Sequence, residues 1–290
     1  MPAYCVSCKK YHSIKKAVEV HGCSAIDSPF IPLVTKAFEM GRALDQAKRL
    51  EERGTMDKEN MYLSDSVDCI LQLVRTRRNV VETNPPDIYS LMNFQVGHAV
   101  QAAVSQVLSY LGGELIEEAH LSVEHPGAVN PITSRSDILI DIPAKVMEEM
   151  GITDERLAAN NLLEIKATGD RAMTTMISNG KEGNDGHRRQ TNRYIHASKL
   201  GAMPNGKVYE DAWLTYVVPL VPKGEPSVFP FYIPYNAAQA VGDLDYIAHA
   251  EKLALSDAEV PMPPEYAKES KPPNWPCRYC PTMDLCWPPK

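Results

Sequence analysis

Residues 162–167 read LLEIKA, a short apolar run that predicts a β-strand. Because side chains alternate across a strand, Glu164 and Lys166 lie on one face and Ile165 lies on the other. A second run, DILIDI at residues 137–142, predicts a neighbouring strand that begins with Asp137. Two carboxylates on adjacent strands suit divalent cations, which prefer oxygen ligands and keep water molecules for chemistry. These two runs therefore predict a sheet that carries an acidic metal site.

The pattern on either side of these runs predicts helices around a sheet. Helical spacing of apolar residues and break signals predict helices over residues 64–78, 89–111, 188–200 and 236–255. Further strands are predicted over residues 114–124, 213–220 and 228–233. The segment 143–160 is predicted as an inserted helix or helical pair. The whole order predicts an α/β fold with a mixed central sheet flanked by helices.

The first sixty residues differ from the rest. Residues 32–53 have helical spacing and end at Gly54, so we predict a helical N-terminal extension over residues 1–60 and a main domain over residues 61–290. The start of the extension carries Cys5, Cys8 and Cys23, with histidines nearby. Three sulfurs and one imidazole would make a structural Zn²⁺ site, and a mobile, reduced N-terminus explains the same residues equally well.

Composition limits the class of protein without naming it. The chain has 290 residues, 44% of them hydrophobic, which is enough for a large core. No apolar run approaches the roughly 20 residues of a membrane helix, and the N-terminus lacks the apolar part of a signal peptide, so we expect a cytoplasmic protein without a membrane partner. Seven cysteines, an odd number, favour metal ligation in a reducing compartment over disulfides. A net charge of −7 does not exclude nucleic acid, because phosphate binding depends on local patches.

The C-terminal segment carries three closely spaced cysteines. Cys277, Cys280 and Cys286 stand in CRYCPTMDLC, and Cys69 lies far upstream. Short loops allow several thiolates to converge on one metal centre, which would tie the two ends of the main domain together. The spacing favours an iron–sulfur cluster, and a four-thiolate zinc site is the alternative.

Other side chains are candidates for the acidic site. An ammonium group at Lys166 would orient or help deprotonate the nucleophile and offset charge on a phosphate. Gln190 and Tyr194 share one face of the predicted helix 188–200, and His98 would supply an imidazole from the helix 89–111. Asp141 lies on the same strand face as Asp137 and is an alternative ligand if the register differs. We prefer Asp137 because it begins the apolar run.

Taken together, these motifs resemble the PD-(D/E)XK nucleases of the RecB type that carry an iron–sulfur cluster. The resemblance covers roughly residues 64–287. It is closest to the stand-alone nuclease of CRISPR adaptation and to phage exonucleases of the same build. It rests on Gly97-His98, Ser136-Asp137, Glu164-Ile165-Lys166, Gln190 with Tyr194, and the four cysteines in this order. The long gap between Asp137 and Glu164 departs from the family pattern and requires an insertion.

The resemblance implies a restriction-endonuclease-like core with a C-terminal iron–sulfur segment. It implies that His98, Asp137, Glu164 and the Ile165 carbonyl bind Mg²⁺ or Mn²⁺, and that Lys166 is the catalytic lysine. Gln190 and Tyr194 would contact DNA or position the site. Cys69, Cys277, Cys280 and Cys286 would hold a [4Fe-4S] cluster.

The activity implied is that of a DNA exonuclease acting on single-stranded or end-containing DNA, in phage recombination or CRISPR spacer processing within a bacterial or phage-infected cell. Recombination or CRISPR adaptation proteins are the expected partners, and the sequence is compatible with a homo-oligomer. A DNA-binding scaffold whose activity needs a partner and a structure-specific endonuclease are the alternatives.

Basic and aromatic residues accompany the motifs. Arginines follow Cys69, and basic residues surround Gln190, so we predict sequence-tolerant phosphate contacts by Arg75, Arg77, Arg78, Lys181, Arg188, Arg189 and Arg193. Solvated helix faces are the alternative explanation. Trp275, Tyr279 and Trp287 would stack on unpaired bases or pack around the cluster.

Overall fold

A computed structural model describes residues 3–5, 10–12, 61–65, 67–78, 80, 83–84, 88–157, 160–219, 226–256, 258–263, 277 and 280–288. The chain divides into two compact units, Met1–Thr55 and Met56–Lys290. In the first unit, strand β1 (Ala3–Cys5) pairs antiparallel with strand β2 (Lys10–His12). The predicted zinc ligands Cys8 and Cys23, the side chain of Cys5 and the helix predicted over residues 32–53 lie outside the described residues.

The second unit contains a mixed five-stranded sheet. Its strands are β3 (Leu115–Val123), β4 (Ile132–Asp141), β5 (Asn160–Ala167), β6 (Asp211–Val217) and β7 (Val228–Pro234). They are hydrogen-bonded in sequence order. The β5–β6 pair is parallel and the other three pairs are antiparallel. A parallel pair needs a long crossover, and the helices between β5 and β6 provide it.

Helices occupy the segments before, between and after the strands. They are α1 (Ile70–Arg77), α2 (Ile88–Ser109), α3 (Ala144–Glu149), α4 (Asp170–Ser178), α5 (Asp185–Lys199) and α6 (Ala237–Leu255), with 3₁₀ turns at Glu155–Leu157 and Met283–Leu285. Within the described ranges, no helix is both long and apolar enough to cross a bilayer. Helix α1 begins at Ile70, after Cys69, and not at the predicted Ser64. Ser64 lies in a turn, which Asp65 closes by accepting a hydrogen bond from the amide of Tyr62.

Apolar clusters lie on both faces of the sheet. One face carries Leu162, Leu214 and Tyr216 and is covered by α5 and α6, which contribute residues such as Ile195 and Leu244. The other face carries Ile138, Ile140 and Ile165, and α2 covers it with Val100, Val104 and Leu108. Burying both faces of a mixed sheet in this way requires helices on each side. The predicted α/β architecture, a mixed central sheet flanked by helices, is confirmed.

Strands β3 and β4 each depart from the regular alternation of side chains between the two faces of the sheet, and they do so at neighbouring positions. On β3, Ile116 and Ala119 pack on the same face although they are three residues apart, and Glu118 between them has a φ of 44°. On β4, Ile132 and Leu139 likewise share that face. A non-glycine residue with positive φ marks local strain. The distortion lies beside Asp137, where the hydrogen-bonded pairing of β4 with β5 ends.

Candidate active site

The two predicted carboxylates meet where β4 and β5 lie side by side. Ile138 pairs with Leu163, and one step further in this register Asp137 lies opposite Glu164. The Asp137 Oδ2 atom accepts a hydrogen bond of 2.6 Å from the amide of Ile165. The carboxylate thus replaces a main-chain bond of the ladder, and its position is fixed by the backbone of the neighbouring strand.

Glu164 is fully buried, with 0% of its surface exposed. Burial raises its pKa to about 8, and the adjacent charge of Asp137 adds to the rise. Burial also raises the pKa of Asp137, against the opposing effect of Lys166. The two carboxyl groups are close enough to share a proton. When both are ionised, Glu164 Oε2 receives no hydrogen bond from any described group.

Lys166 occupies the opposite side of the Glu164 carboxylate. Its Nζ atom donates a hydrogen bond of 2.5 Å to Glu164 Oε1, as the shared strand face predicts. Burial lowers the pKa of Lys166, but the charges of Glu164 and Asp137 outweigh that effect and leave the pKa above its usual value. The two carboxylates thus favour the protonated form of Lys166, which serves here as a hydrogen-bond donor.

Gln190 and Tyr194 link helix α5 to the carboxylates. The Gln190 side-chain amide donates to Glu164 Oε1 at 2.9 Å and to the Tyr194 hydroxyl at 2.8 Å. The Tyr194 hydroxyl also lies 3.1 Å from the hydroxyl of Ser134 on β4. Tyr194 is only 1% exposed, so its side chain positions the site and does not contact DNA. The structure thus brings five predicted residues together: Asp137, Glu164, Lys166, Gln190 and Tyr194.

The remaining predicted ligands are placed differently. His98 is exposed on α2, which packs on the sheet face that carries Ile165. In the part of the chain that the structure describes, no three His, Cys, Asp or Glu side chains form a group that would hold one metal ion. The structure therefore does not bring His98 together with the two carboxylates. Asp141, the alternative to Asp137, lies opposite Asn160 and forms an ion pair with Lys207 at 3.4 Å.

The carboxylate pair fits a divalent cation. Glu164 Oε2 is buried, and within the described part of the chain no group donates a hydrogen bond to it. Its neighbour is the carboxylate of Asp137. Leaving two buried carboxylates ionised beside a single ammonium is costly unless another cation neutralises them. Hard divalent cations bind such oxygens and retain water in their other coordination positions. Asp137 and Glu164 would hold the ion, and the Ile165 carbonyl is the further ligand that the family resemblance implies.

The four predicted cluster cysteines line one pocket. Cys69 is the N-cap residue of α1, and Cys277, Cys280 and Cys286 belong to the C-terminal segment. Apolar residues such as Leu71, Met262 and Met283 complete the lining, and Trp287 packs beside Cys277. Burial raises the pKa of Cys69 and of Cys277. Trp287 therefore packs around the cysteines, whereas Trp275 and Tyr279 lie outside the described residues.

Hydrogen bonds from residues outside the C-terminal segment hold that segment in place. Arg75 on α1 donates to the Cys286 sulfur at 2.9 Å and to the Thr282 carbonyl at 3.3 Å. The amides of Thr83 and Asn84 both donate to the Pro281 carbonyl at 2.8 Å. The pocket is thus built from both ends of the main unit, as the predicted position of Cys69 implies.

Most of the predicted DNA-contacting arginines have structural partners instead. Arg77 binds Asp65 at 2.6 Å, and Arg78 donates to four main-chain carbonyls at the end of α6. Arg193 is 1% exposed and binds Asp243 and the carbonyls of Leu63 and Asp65. The prediction that Arg193 contacts DNA is wrong, because its guanidinium is enclosed in the core.

Of the α5 residues predicted to contact DNA, Arg188 and Arg189 remain accessible. With Asp185 and Asn192, they line a polar cavity of about 550 Å³ that also includes the first residues of α6. Arg188 bonds to the Glu182 carbonyl, and Arg189 binds Asp243. Lys181 is exposed in the preceding loop. Lys181, Arg188 and Arg189 thus keep side-chain charge that solvent can reach, and their contact with DNA stays a prediction.

Sequence reasoning missed two residues next to Lys166. Tyr216 pairs with Lys166 across the parallel β5–β6 ladder, so the two side chains share a face. Its hydroxyl contacts the Nδ1 atom of His187 in the first turn of α5 at 2.8 Å. A lone histidine and a strand tyrosine carry no motif, and only the strand order places them beside the lysine.

The chain is similar to two solved structures at low identity. One is the crystal structure of SSO0001, with 16% identity and a TM-score of 0.43 over 83% of this chain and 93% of that chain. The other is an alkaline exonuclease (LHK-Exo) from Laribacter hongkongensis, with 13% identity and a TM-score of 0.40 over 64% of this chain and 77% of that chain. No protein-family profile and no curated protein matches the chain. Similarity at this level identifies no activity.

Proposed function

We propose that this protein is a metal-dependent DNA nuclease centred on Asp137, Glu164 and Lys166. The observation that carries the proposal is the fully buried Glu164, which has an ammonium on one oxygen and a carboxylate beside the other. With both carboxyl groups ionised, one ammonium leaves a buried negative charge that either a proton or a bound cation must neutralise. This arrangement suits a site that binds a divalent cation at its carboxylates and a phosphate of the substrate at its ammonium group.

Each residue has a distinct part in phosphodiester hydrolysis. Mg²⁺ or Mn²⁺ would supply charge neutralisation and acidify a water molecule at this site. Asp137 and Glu164 would provide the carboxylate oxygens that bind the cation. Gln190 fixes the side-chain conformation of Glu164. Lys166 remains protonated and donates to a non-bridging phosphate oxygen. The water oxygen bonds to phosphorus, the bond from phosphorus to the leaving sugar oxygen breaks, the attacking water loses a proton to solvent, and a solvent water gives a proton to the leaving oxygen. His98 remains a predicted ligand by resemblance, without a contact that supports it.

The substrate proposed is DNA with a free end, single-stranded in preference. The family resemblance favours exonuclease action in phage recombination or CRISPR spacer processing. Lys181, Arg188 and Arg189 beside the Gln190 helix support a phosphate path that does not read sequence.

A [4Fe-4S] cluster at Cys69, Cys277, Cys280 and Cys286 is part of the proposal. The four thiols line one apolar pocket, yet no three of these described side chains are placed to bind a single ion. The spacing of the three C-terminal cysteines with a distant fourth supports an iron–sulfur cluster over one zinc ion. The cluster would be structural and would join α1 to the C-terminal segment. A Zn²⁺ ion at Cys5, Cys8 and Cys23 stays a separate prediction.

The experiment is degradation of end-labelled single-stranded DNA with Mg²⁺ or Mn²⁺ by the wild type, Lys166→Ala and the control Lys207→Ala. Lys207 is a partly exposed lysine that is paired with Glu114 and with Asp141, the last residue of β4, so its loss should leave cleavage unchanged. Label release by the wild type and the control but not by Lys166→Ala is expected. Cleavage by Lys166→Ala at the wild-type rate would assign the activity elsewhere.

Two other functions give different results in the same assay. A scaffold that needs a partner would bind DNA equally well with and without Lys166 and cut it in neither form. A structure-specific endonuclease would cut circular single strands, whereas an exonuclease requires an end. Comparison of 5′ and 3′ labels gives the polarity.

A further inference from the structure

The His187–Tyr216 pair borders the proposed active site. Tyr216 is buried, and its ring lies on the same sheet face as Lys166, its neighbour across β5 and β6. His187 is in the first turn of α5, one turn before Gln190, and its ring lies 5.8 Å from that of Tyr216. The charge of Lys166 acts on both side chains. The pair therefore faces the end of the sheet where the carboxylates and the lysine converge.

The hydrogen bonds around Tyr216 determine which nitrogen of His187 carries the proton. The amide of Asn184 donates to the Tyr216 hydroxyl oxygen at 2.9 Å, and His187 Nδ1 lies 2.8 Å from the same oxygen. If Nδ1 were the donor, the buried hydroxyl proton would have no acceptor among the described groups, which is costly. The Tyr216 hydroxyl therefore donates to Nδ1, and the neutral ring carries its proton on Nε2.

The ring is held in its neutral form. Burial, followed by the charge of Lys166, lowers the pKa of His187 to about 4. A second cation beside Lys166 would be repelled, whereas a neutral N–H donor is tolerated there. The Nε2 atom makes no hydrogen bond with any group in the described ranges, so its proton is available to a ligand.

We propose that His187 is a further catalytic residue, whose Nε2–H donates to a non-bridging oxygen of the scissile phosphate beside Lys166, with Tyr216 fixing the tautomer. This inference rests on the proposed nuclease function. A fixed neutral donor stabilises charge that develops on phosphate without adding a proton that could be lost. Lys166 contributes a positive charge next to the phosphate, and His187 contributes a hydrogen bond of fixed orientation.

The first test compares three substitutions of His187 in the full-length protein. Loss of one preorganised donor lowers kcat on the order of 100-fold, which we expect for His187→Ala. His187→Gln can place an amide N–H near the Nε2 position and should recover much of the rate, whereas the shorter His187→Asn should not. The matched control is His196→Ala, because His196 on the same helix contacts the Tyr235 hydroxyl through Nδ1 at 2.6 Å in the same way. It should lose similar thermal stability and keep its kcat.

The second test does not need activity. In ¹⁵N–¹H spectra of histidine-labelled protein, His187 should have the Nε2–H tautomer at pH 7 and stay neutral down to pH 5. Tyr216→Phe should abolish that preference. An Nδ1–H tautomer, or a folded His187→Ala variant with wild-type kcat, overturns the inference while leaving the nuclease intact. If the wild type cleaves no DNA, the proposed function fails as well, and the two failures are thereby distinguished.

Discussion

The Nζ atom of Lys166 lies 2.5 Å from Oε1 of Glu164, two residues earlier on the same strand. Glu164 is enclosed, whereas the lysine side chain retains 24% of its exposure. The ammonium thus lies between a buried carboxylate and the solvent-accessible side where a phosphate would approach. Because none of the described groups donates to the other oxygen of Glu164, the charge balance of the site depends on pH and on bound cations.

Glu164→Gln is expected to stabilise the metal-free protein at high pH. Folding raises the pKa of Glu164 from 4.5 to about 8, so the folded state binds the proton more tightly than the unfolded state. Stability from this group is fully present below about pH 4.5 and is lost as the pH rises through 8. Glutamine does not titrate, so the variant should lack that loss. Urea unfolding with a chelator at pH 5 and pH 8.5 measures it.

The control for that experiment is Glu117→Gln on β3, an exposed carboxyl that should leave the pH dependence unchanged. Equal losses of unfolding free energy in the wild type and in Glu164→Gln between the two pH values would contradict the assigned pKa shift.

Metal binding is expected to release protons near neutral pH. With a pKa of about 8, Glu164 is mostly protonated at pH 7 in the metal-free protein, and a divalent cation needs the carboxylate form. The apparent affinity for Mn²⁺ should therefore rise up to about tenfold per pH unit until pH 8. Titration calorimetry in two buffers of different ionisation enthalpy reports the protons released. Identical heats in both buffers would rule out proton release, and Asp137→Asn should abolish the binding heat.

Tyr194→Phe tests whether the buried hydroxyl positions the site. The substitution removes bonds to Gln190 and Ser134, and the loss of a buried partner costs about 1–3 kcal/mol of stability. Gln190 then loses a restraint on its contact with Glu164, so kcat should fall while KM for DNA stays constant. Tyr209→Phe is the control, since that buried hydroxyl accepts from Asn205 at 3.0 Å outside the site. A kcat equal in both variants would make Tyr194 a core residue only.

The strands of the site could be predicted from sequence because their signals are local. LLEIKA has a period of two, and the structure places Glu164 and Lys166 on one face as that period requires. The gap between Asp137 and Glu164 accommodates α3 and a 3₁₀ turn without disturbing the pairing of β4 with β5. The departure from the family spacing is therefore an insertion at one end of the sheet.

Features that depend on tertiary packing could not be predicted. Helix α4 was not predicted because DRAMTTMIS is mostly polar and Met173 is its sole buried residue. Arg193 looked like a surface cation of α5, yet it satisfies Asp243 and two carbonyls in the core. A helical wheel shows which residues share a face but does not show which face is buried. The His187–Tyr216 contact likewise requires the strand order.

Arg193→Ala and Arg188→Ala should affect different properties. Arg193→Ala leaves Asp243 with one of its two arginine partners in the core and should lower the free energy of unfolding by about 3–5 kcal/mol. Arg188→Ala should leave stability unchanged and reduce the slope of log K against log salt for single-stranded DNA by about 0.7, the value for one phosphate contact. Chemical unfolding and DNA titrations at several salt concentrations measure the two effects. An unchanged salt slope for Arg188→Ala would remove this residue from the DNA path.

Cys69→Ser is expected to remove the iron–sulfur cluster and loosen the C-terminal segment. Cys69 is the cluster ligand contributed by α1, whereas the other three lie within residues 277–286. Protein purified anaerobically should be brown and contain four iron and four sulfide atoms per chain if the cluster is [4Fe-4S]. The variant should lose the visible absorption and become more sensitive to proteolysis near its C-terminus, since metal binding and folding are coupled. Cys5→Ser, which changes a cysteine that is not among the four proposed cluster ligands, is the control and should retain the colour. If the wild type is colourless and contains one zinc ion per chain that Cys69→Ser loses, the site is a four-thiolate zinc site and the cluster prediction is wrong.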